Sequence, residues 1–509
     1  MDLWTPKQIH LWDQQTCKLQ EIDSIELMYR AASKWTTAFT RIFPNSYRVT
    51  IYVGPGNNGG DGLVVAMLLD RLGYKVTLYA GDPEVSKSAD ARHYYNQLLR
   101  ESSLIVKIWD ETLDVDSSSD EASTEVVIDA LFGIGLSRPL DGVYLQMVES
   151  MNRRGCPICS VDIPSGLYAD GPNELNASVV TATYTWTFEV PKVSFFFPEN
   201  YIYTGKWEVV PIGLAQEGLK EEVPMTSLID EMEVRKWVRT SSPFDHKGTR
   251  GHALVIAGSE GMMGAATLAS LGALSGGCGL VTAHVPSRFV SLIHQTVSEC
   301  LVSTDIDGGC FSSLPDLSLY KAVAVGPGLG QAEKTKEALI SLFRKSQVPI
   351  VIDADALNII SKEPSLLELL PKNSILTPHP KELERLIGTT YSSWERLEKA
   401  RALAIKYGVH ILIKGNHSVV IDTAGWWTVN GSGSSALAKG GSGDILAGLI
   451  VSLLAFGYPS SIALRLGVWI HGKAGELFAN EGNDRSLRVS MLPIFIGKVW
   501  ERLLNSPVK

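Results

Sequence analysis

The stretch RVTIYVGPGNNGGDGLVVAMLLDRLGYKVTLYAG, residues 48–81, decides the fold of the first half of the chain. It holds a β-rich run at 48–54, a glycine-rich loop, a run of helical length at 62–73 and a second β-rich run at 75–81. Two more apolar runs, EVVIDALFG at 125–133 and CPICSVDIPSG at 156–166, predict further strands. Strands that alternate with helical stretches predict a parallel, doubly wound α/β sheet.

The loop GPGNNGGDG, residues 54–62, satisfies the G-x-G-x-x-G pattern of dinucleotide-binding loops. It also carries Asn57, Asn58 and Asp61, where that pattern expects small or apolar residues, and no acidic residue ends the second strand. We therefore interpret the loop as a polar cradle whose amide and carboxylate groups face a ligand.

Polar residues also follow two later strands of this predicted sheet. Asp129 lies in VIDALFGIGLSRPL, residues 127–140, and Asp162 and Ser165 lie in VDIPSGL, residues 161–167. Ligands of open α/β sheets bind at the carboxyl ends of the strands, so these groups are expected to converge with the polar cradle. Amide, carboxylate and hydroxyl oxygens suit a hard cation rather than zinc. The alternative is that the two aspartates only cap turns.

The second half repeats the pattern of strands that end in glycine-rich or polar loops. These loops are GSEGMMG at 258–264, VAVGPGLG at 323–330, VIDADALN at 351–358, TPHPKE at 377–382 and KGNH at 414–417. The small-residue helix after GSEGMMG permits close approach either of a ligand or of the sheet. His379, fixed between two prolines, is either structural or chemical. Lys414 is either an ordinary exposed hairpin lysine or a contact to a nucleotide phosphate.

The stretch AKGGSGDILAG, residues 438–448, joins a glycine loop to a long apolar helix. Unpaired backbone N–H groups and the positive end of the helix dipole make such a junction an anion site. Asp444 at the helix start is placed to take a proton from a hydroxyl that attacks phosphorus. The alternative is a glycine-lined turn that Asp444 merely caps.

Composition narrows the class of protein. A chain of 509 residues predicts two or three domains, and a net charge of −9 argues against nucleic acid or an anionic membrane as the main partner. The longest apolar run, 445–456, is too short to span a bilayer. Six cysteines do not make a disulfide scaffold, and Cys156 and Cys159 are interpreted as core thiols rather than a redox motif. We expect a cytoplasmic homo-oligomer.

The motifs NNGGDG, VIDALFGIGL and VDIPSG resemble the three loops of the NAD(P)H-hydrate epimerase domain. The resemblance implies epimerisation of a hydrated nicotinamide ring and a bound potassium ion held by Asn58, Asp129 and Ser165. It makes Asp162 the acid/base group and assigns no role to Lys192. It implies that these residues bind the hydrate: Asn57, Asn58, Gly59, Gly60, Asp61, Gly133, Ile134, Gly135, Leu136, Ser137, Arg138, Pro139 and Asp162.

The ordered set of loops in the second half, completed by GGSGD at 440–444, resembles the ADP-dependent NAD(P)H-hydrate dehydratase domain of the ribokinase-like superfamily. The resemblance implies Mg²⁺ and ADP as cofactors and Asp444 as a catalytic residue. It places Ala265, Gly328, His379 and Asp444 at the hydrate. It places the adenine nucleotide at Lys414, Gly415, Asn416, His417, Ser418 and Gly443.

Together the two resemblances predict a Rossmann-like epimerase domain at 1–215, a linker at 216–230 and a ribokinase-like dehydratase domain at 231–509. The substrates implied are the hydrates NADHX and NADPHX. A rival interpretation is a small-molecule kinase with a ligand-binding N-terminal domain, since ribokinase-like sites phosphorylate hydroxyls. A rival of another class is a nucleotide-sensing module without turnover.

Overall fold

The computed structural model describes residues 1–81, 88–110 and 124–505. The chain forms two compact units, one of Asp2–Met225 with Ser392–Trp394 and one of Thr226–Tyr391 with Glu395–Lys509. The acidic, serine-rich interval 110–124, for which the sequence predicts a surface excursion, lies, except for its end residues, outside the described part. None of the helices within those ranges combines the length and the apolarity that crossing a bilayer requires.

The N-terminal unit is built on a seven-stranded parallel sheet. Its strands are β1 (Arg48–Val53), β2 (Lys75–Ala80), β3 (Val106–Ile108), β4 (Glu125–Ala130), β5 (Ile158–Val161), β6 (Tyr184–Phe188) and β7 (Lys206–Val210). They lie in the order β3-β2-β1-β4-β5-β6-β7, so the direction of winding reverses between β1 and β4. Doubly wound sheets bind ligands at this reversal, outside the carboxyl ends of the strands.

Helices cover both faces of this sheet. They are α1 (Pro6–Gln20), α2 (Ser24–Thr40), α3 (Asn57–Arg71), α4 (Ala89–Glu101), α5 (Gly142–Arg153) and the single turn α6 (Tyr201–Thr204). The largest core cluster joins α2 and α3 to the sheet, with Trp35 edge-on to Trp186 at 5.2 Å between ring centroids. Strands β1 and β4 are buried along nearly their whole length, as their continuous apolar sequence predicts.

The C-terminal unit contains a larger mixed sheet. Its strands are β8 (Thr226–Ile229), β9 (His252–Ile256), β10 (Leu280–Pro286), β11 (Leu301–Asp305), β12 (Ala322–Val325), β13 (Ile350–Ile352), β14 (Ile375–Leu376), β15 (His410–Ile413), β16 (Val419–Ile421) and β17 (Trp427–Asn430). Their order is β8-β17-β16-β15-β14-β13-β12-β9-β10-β11. Strands β9 to β15 are mutually parallel, and β16 pairs antiparallel with β15 and β17.

The helices of the C-terminal unit are α7 (Glu231–Trp237), α8 (Met263–Leu274), α9 (Val290–Thr296), α10 (Glu333–Lys345), α11 (Ala354–Lys362), α12 (Pro380–Ile387), α13 (Ser393–Tyr407), α14 (Ser442–Ala455), α15 (Ser460–Glu481) and α16 (Leu492–Asn505). Helix α14 is apolar on all sides and lies in the core. A Cβ at Gly448 would lie 1.9 Å from the backbone oxygen of Ala269, and one at Gly272 would lie 2.1 Å from that of Ile445. The backbones of α8 and α14 are therefore in direct contact.

The structure confirms the parallel, doubly wound α/β architecture and adds two elements that the sequence analysis did not predict. Helix α1 begins with a capping box, because the Thr5 hydroxyl accepts a hydrogen bond from the Gln8 backbone and the Gln8 side chain accepts one from the Thr5 backbone. Strand β8 lies within the predicted linker 216–230 and pairs with β17. Cys156 and Cys159 are free thiols, and burial raises the pKa of both, as expected for core residues.

Candidate active sites

Glycines hold the β1–α3 loop tightly against the loop after β4. A Cβ at Gly54 would lie 1.7 Å from the backbone oxygen of Leu131, and a Cβ at Gly59 would lie 1.8 Å from that of Gly54. No side chain fits at either position, so these glycines are required by close backbone packing. The G-x-G-x-x-G spacing thus has a structural reason that does not depend on a dinucleotide.

A cavity of about 1020 Å³, the N-terminal cavity, opens at the reversal between β1 and β4. Its walls come from α1, α2, the β1–α3 loop, the loop after β4 and the segment after β6. The predicted residues that line it are Asn57, Asn58, Asp61, Gly133, Ile134, Gly135, Leu136, Ser137, Arg138 and Asp162. Three others, Gly59, Gly60 and Pro139, do not line it; Gly59 and Gly60 pack against backbone and side-chain atoms instead.

Asp162 is the most constrained acidic residue of this cavity. It follows β5 with φ of +65°, a left-handed conformation rare for residues other than glycine. Its Oδ1 accepts hydrogen bonds from Lys192 Nζ at 2.6 Å, the Phe188 backbone at 2.8 Å and Thr187 Oγ1 at 3.1 Å. Lys192 is only 2% exposed, and its Nζ also donates to two backbone oxygens. The pair is therefore a buried ion pair with satisfied hydrogen bonds, and Lys192 belongs to the site although the sequence assigned it no role.

Asp129 and Ser165 do not line the N-terminal cavity but lie fully buried beneath it. The Asp129 carboxylate accepts hydrogen bonds from Ser160 Oγ at 2.8 Å and from the Ser165 hydroxyl and backbone N–H at 2.6 Å and 2.8 Å. Burial raises the pKa of Asp129, and these hydrogen bonds act in the opposite direction. Asp129 thus ties the ends of β4 and β5 together below the cavity floor.

The residues predicted for potassium fit a hard monovalent cation. Asn58 is buried and its amide nitrogen has no hydrogen-bond partner among the residues the structure describes, so its amide oxygen is the atom of this side chain that could bind the ion. Ser165 Oγ lies 3.2 Å from the Phe132 backbone oxygen, so hydroxyl and carbonyl oxygens adjoin the Asp129 charge. Oxygen donors around one carboxylate match the preference of such ions.

Asp13 on α1 is a second acidic residue of the cavity, and the sequence analysis did not predict it. Burial, reinforced by the negative charge of Asp162, raises the pKa of Asp13 from 3.8 to about 7. Burial likewise raises the pKa of Asp61 well above its ordinary value, with Asp162 and Asp13 adding to the effect. The T-P-x-Q start of α1 was the only sequence signal for this helix, and it does not indicate which face meets the cavity.

In the C-terminal unit, loops from four adjacent parallel strands meet at one edge of the sheet. They follow β12, β13, β14 and β15, whose carboxyl ends share that edge. The Lys414 backbone N–H donates to the Pro378 oxygen at 3.0 Å, which joins the last two loops. A Cβ at Gly328 would lie 2.9 Å from that of Ala265, so the structure brings these two predicted substrate residues together.

Helix α14 begins directly after Gly441, which has a left-handed backbone conformation, and Asp444 lies in the first turn of this helix. Burial and the charge of Asp353 raise the pKa of Asp444 from 3.8 to about 7, against the lowering effect of Lys414. Lys414 Nζ donates to Asp353 Oδ1 at 2.6 Å, and a Cβ at Gly443 would lie 3.1 Å from that Nζ. The structure thus groups the predicted base, the predicted phosphate lysine and the glycine loop.

Beneath this loop, His471 supports the start of α14 from inside the core. Its Nε2 lies 3.0 Å from the Ser442 backbone oxygen, and burial lowers the pKa of His471 to about 4. The imidazole is therefore neutral at physiological pH and fixes the first turn without adding charge to the anion site.

His379 caps a helix. Its Nδ1 accepts hydrogen bonds from the backbone N–H groups of Lys381 and Glu382, and the His379 backbone N–H donates to the Glu382 carboxylate. The ring is half-exposed, and its Nε2 lies 3.4 Å from Glu382 Oε1. His379 therefore has the structural role that the sequence left open, and contact between its ring and the substrate stays a prediction.

The turn Gly415–Ser418 is closed by Ser418 Oγ, which bonds both the nitrogen and the oxygen of Gly415.

The donor set also bears on Mg²⁺. No cluster of three or more histidine, cysteine, aspartate or glutamate side chains in the described segments forms a metal cage. Mg²⁺ commonly binds through one or two carboxylates together with water and substrate phosphates. Asp353 and Asp444 beside a phosphate-binding loop fit that mode of binding.

These features define a class: a two-domain α/β protein with a ligand cavity at the reversal of one sheet and a glycine-loop anion site at the edge of the other. A family model described as YjeF-related protein N-terminus matches residues 24–194, and one described as NAD(P)H-hydrate dehydratase matches residues 253–493. The bifunctional NAD(P)H-hydrate repair enzyme Nnr of Thermofilum pendens is 31% identical over 95% of this chain and 94% of that protein. The chain belongs to the family of bifunctional NAD(P)H-hydrate repair enzymes.

A second curated relative agrees with this assignment of family. The protein of the same description from Vibrio cholerae is 33% identical over 96% of both chains. Among solved structures, the ADP/ATP-dependent NAD(P)H-hydrate dehydratase of Bacillus subtilis, co-crystallised with ATP and Mg²⁺, is 31% identical, covers 55% of this chain and 99% of its own, and gives a TM-score of 0.49.

Proposed function

We propose that the chain repairs hydrated NADH and NADPH in two steps. The N-terminal unit interconverts the R and S hydrates, and the C-terminal unit dehydrates the S hydrate to the reduced cofactor with ADP. The observation that carries this proposal is the pairing of Asp444 with a glycine-loop helix start and the Lys414–Asp353 ion pair. The two family models, which match one half of the chain each, support the division of labour.

The dehydration step converts a poor leaving group into a good one. Asp444 takes the proton of the ring hydroxyl as that oxygen attacks the terminal phosphorus of ADP, and AMP departs. The ring nitrogen lone pair then expels phosphate, and loss of a proton from the neighbouring ring carbon restores the dihydropyridine. A carboxyl group with a pKa of about 7 is partly ionised at neutral pH, as a general base requires.

The C-terminal anion site assigns roles to the residues around Asp444. The N–H groups of the loop ending at Gly443 and the cation of Lys414 stabilise charge on the transferred phosphoryl group. The turn Gly415–Ser418 holds the nucleotide, and Ala265, Gly328 and His379 contact the hydrate. Asp353, together with water and phosphate oxygens, would hold Mg²⁺, which when bound neutralises phosphate charge.

In the N-terminal unit, Asp162 acts as the base of epimerisation. Its Oδ1 is occupied by Lys192 and two further donors, while Oδ2 accepts no hydrogen bond from any residue of the described chain. The loop Gly133–Arg138 and the β1–α3 loop bind the hydrate. Asn58, Ser165 and Asp129 would hold potassium, which when bound supplies positive charge below the cavity. Homo-oligomerisation remains a prediction.

The test is incubation of the protein with hydrated NADH and ADP, ATP or no nucleotide, followed by absorbance of the reduced nicotinamide and by release of phosphate. The proposal predicts return of the absorbance with stoichiometric phosphate and AMP. A kinase would instead leave phosphate on the product without return of absorbance, and a sensor would bind nucleotide without either change. Asp444→Asn should abolish dehydration and leave epimerisation intact, whereas Asp162→Ala should do the reverse.

A further inference from the structure

Epimerisation of a ring hemiaminal needs an acid as well as a base. The hydroxyl-bearing carbon inverts when the ring opens and closes again on the other face. Opening requires that the hydroxyl lose a proton while the ring nitrogen gains one. A single carboxylate held by a lysine provides only the first of these groups.

Helix α1 carries Asp13 into the N-terminal cavity on a fixed backbone. Trp12 Nε1 donates to the Ala215 backbone oxygen at 2.7 Å, and the Ala215 backbone N–H donates to Thr16 Oγ1 at 3.0 Å. These contacts lie on either side of Asp13 in the helix. With the capping box at Thr5, they hold α1 against the segment around Ala215, which follows β7, and so restrict the place of the Asp13 side chain.

Asp13 and Asp162 occupy opposite chemical environments in the same cavity. Asp162 accepts three hydrogen bonds, one of them from a buried ammonium group. Asp13 accepts none from the residues in the described ranges. The charged groups that act on Asp13 from other elements are Asp162, Glu189, Lys192 and Asp61, and three of these four are acidic. An environment of this kind favours a protonated Asp13.

We propose that Asp13 is the general acid of epimerisation, acting opposite Asp162 as the base. This inference rests on the proposed epimerase function. In the forward step Asp162 removes the hydroxyl proton, the oxygen lone pair forms the aldehyde carbonyl, and the bond between that carbon and the ring nitrogen breaks. The bonding pair stays on nitrogen and takes the proton of Asp13. Rotation about the adjacent carbon–carbon bond and the reverse proton transfers close the other epimer, so no oxidant or further reactant is needed.

The pKa of Asp13 near 7, raised by burial and by Asp162, supports this role because the group can both donate and recover a proton near neutral pH. Asp61 is a poorer candidate. It is the fifth residue of α3, and burial, with the charges of Asp162 and Asp13, raises its pKa well above the ordinary value, which disfavours release of its proton.

The experiment follows epimer interconversion by chromatography of the full-length protein with the pure S hydrate and no nucleotide, from about pH 5.5 to about pH 8.5, above the buffer-only rate. Asp13→Asn should lose about 10²- to 10⁴-fold of the catalysed rate. The wild-type rate should fall as pH rises through about 7, where Asp13 loses its proton. The residual activity of the Asp13→Asn variant should not show this fall. The rate of ADP-dependent dehydration by the same variant should stay within about twofold of the wild-type rate, which would show that the variant is folded.

Asp13→Glu, which keeps the carboxyl group, should recover part of the rate and the fall at high pH. Asp141→Asn is the control for the loss of a carboxylate, since Asp141 is exposed, does not line the cavity and makes no side-chain hydrogen bond to the helix α5 that it precedes. It should stay within about twofold of wild type. An Asp13→Asn variant that retains both the rate and its pH dependence overturns the inference, as does an equal loss in Asp141→Asn. Absence of interconversion by the wild type refutes the proposed epimerase itself.

Discussion

Replacement of Asp444 by asparagine should abolish dehydration and at the same time stabilise the C-terminal unit. Asparagine keeps the shape of the side chain but neither accepts a proton as a base nor carries charge. The catalytic loss should be about 10²- to 10⁴-fold, the range that general base catalysis contributes. The gain in stability follows from burial, because Asp444 is charged at alkaline pH beside Asp353.

The magnitude comes from the difference between the two pKa values. A pKa raised from 3.8 to about 7 corresponds to about 4 kcal/mol at 1.36 kcal/mol for each pH unit. Because the folded state holds this proton more tightly than the unfolded state, the contribution to stability is fully present below pH 3.8 and is lost as pH rises through about 7. Asparagine does not titrate, so the variant should exceed wild type by up to about 4 kcal/mol at alkaline pH and by little near pH 4.

Differential scanning calorimetry at about pH 5 and about pH 8 measures this effect, since 1 kcal/mol shifts the Tm of a large domain by about 2–4 °C. The Tm of Asp444→Asn should exceed that of wild type by several degrees at the higher pH and by much less at the lower. Asp316→Asn is the control, because Asp316 is exposed and hydrogen bonds from Ser318 lower its pKa. A Tm difference for Asp444→Asn that is negative, or that is equal at both pH values, would refute the reasoning.

Three further changes test the packing and charge arrangement. Lys192→Met should cost the N-terminal unit about 3–5 kcal/mol and its epimerase activity, because Asp162 is left buried without a cation; an unchanged calorimetric transition would contradict this. Gly448→Ala should destabilise the C-terminal unit by about 1–3 kcal/mol, whereas Gly497→Ala, with open space at Cβ, should stabilise it by about 0.5–1 kcal/mol. Denaturant titration of the two variants should therefore give changes in the free energy of unfolding that have opposite signs. Asp305→Asn should lower stability at neutral pH and progressively less below pH 3.8, because hydrogen bonds lower the Asp305 pKa; urea titrations at both pH values measure this.

The strands and glycine loops could be predicted because their signals are local. Strands β1 and β4 are continuous apolar runs, and each ends in a polar or glycine-rich segment that marks the carboxyl edge of the sheet. The placement of Asn58 and Asp162 followed from the rule that such edges meet. Asp444 was predicted from a different local signal, a glycine loop that opens a helix, and the structure shows Lys414 bonded to Asp353 and the pKa of Asp444 raised by Asp353.

The remaining site features depend on contacts between distant parts of the chain. Lys192 is 30 residues from Asp162, and nothing in its aromatic surroundings indicates that the side chain turns inward to an acid. Asp13 belongs to a helix whose capping box is visible in the sequence, but only tertiary packing shows that this face meets the cavity. Asp129 was expected among the ligand-facing groups, yet its hydrogen bonds to Ser160 and Ser165 draw it below the floor.

The direct backbone contact between α8 and α14 holds the two helices at a fixed distance from each other. Helix α8 starts after the turn in which the Met262 backbone lies against Gly328, and α14 starts at the glycine loop before Asp444, so two glycine-to-carbonyl contacts fix the distance between these two loops. Neither loop can move sideways unless the two helices separate, because no side chain lies between their backbones at this contact. Substitutions of side chains around these two loops can therefore change the lining of the site while the distance between the loops stays constant.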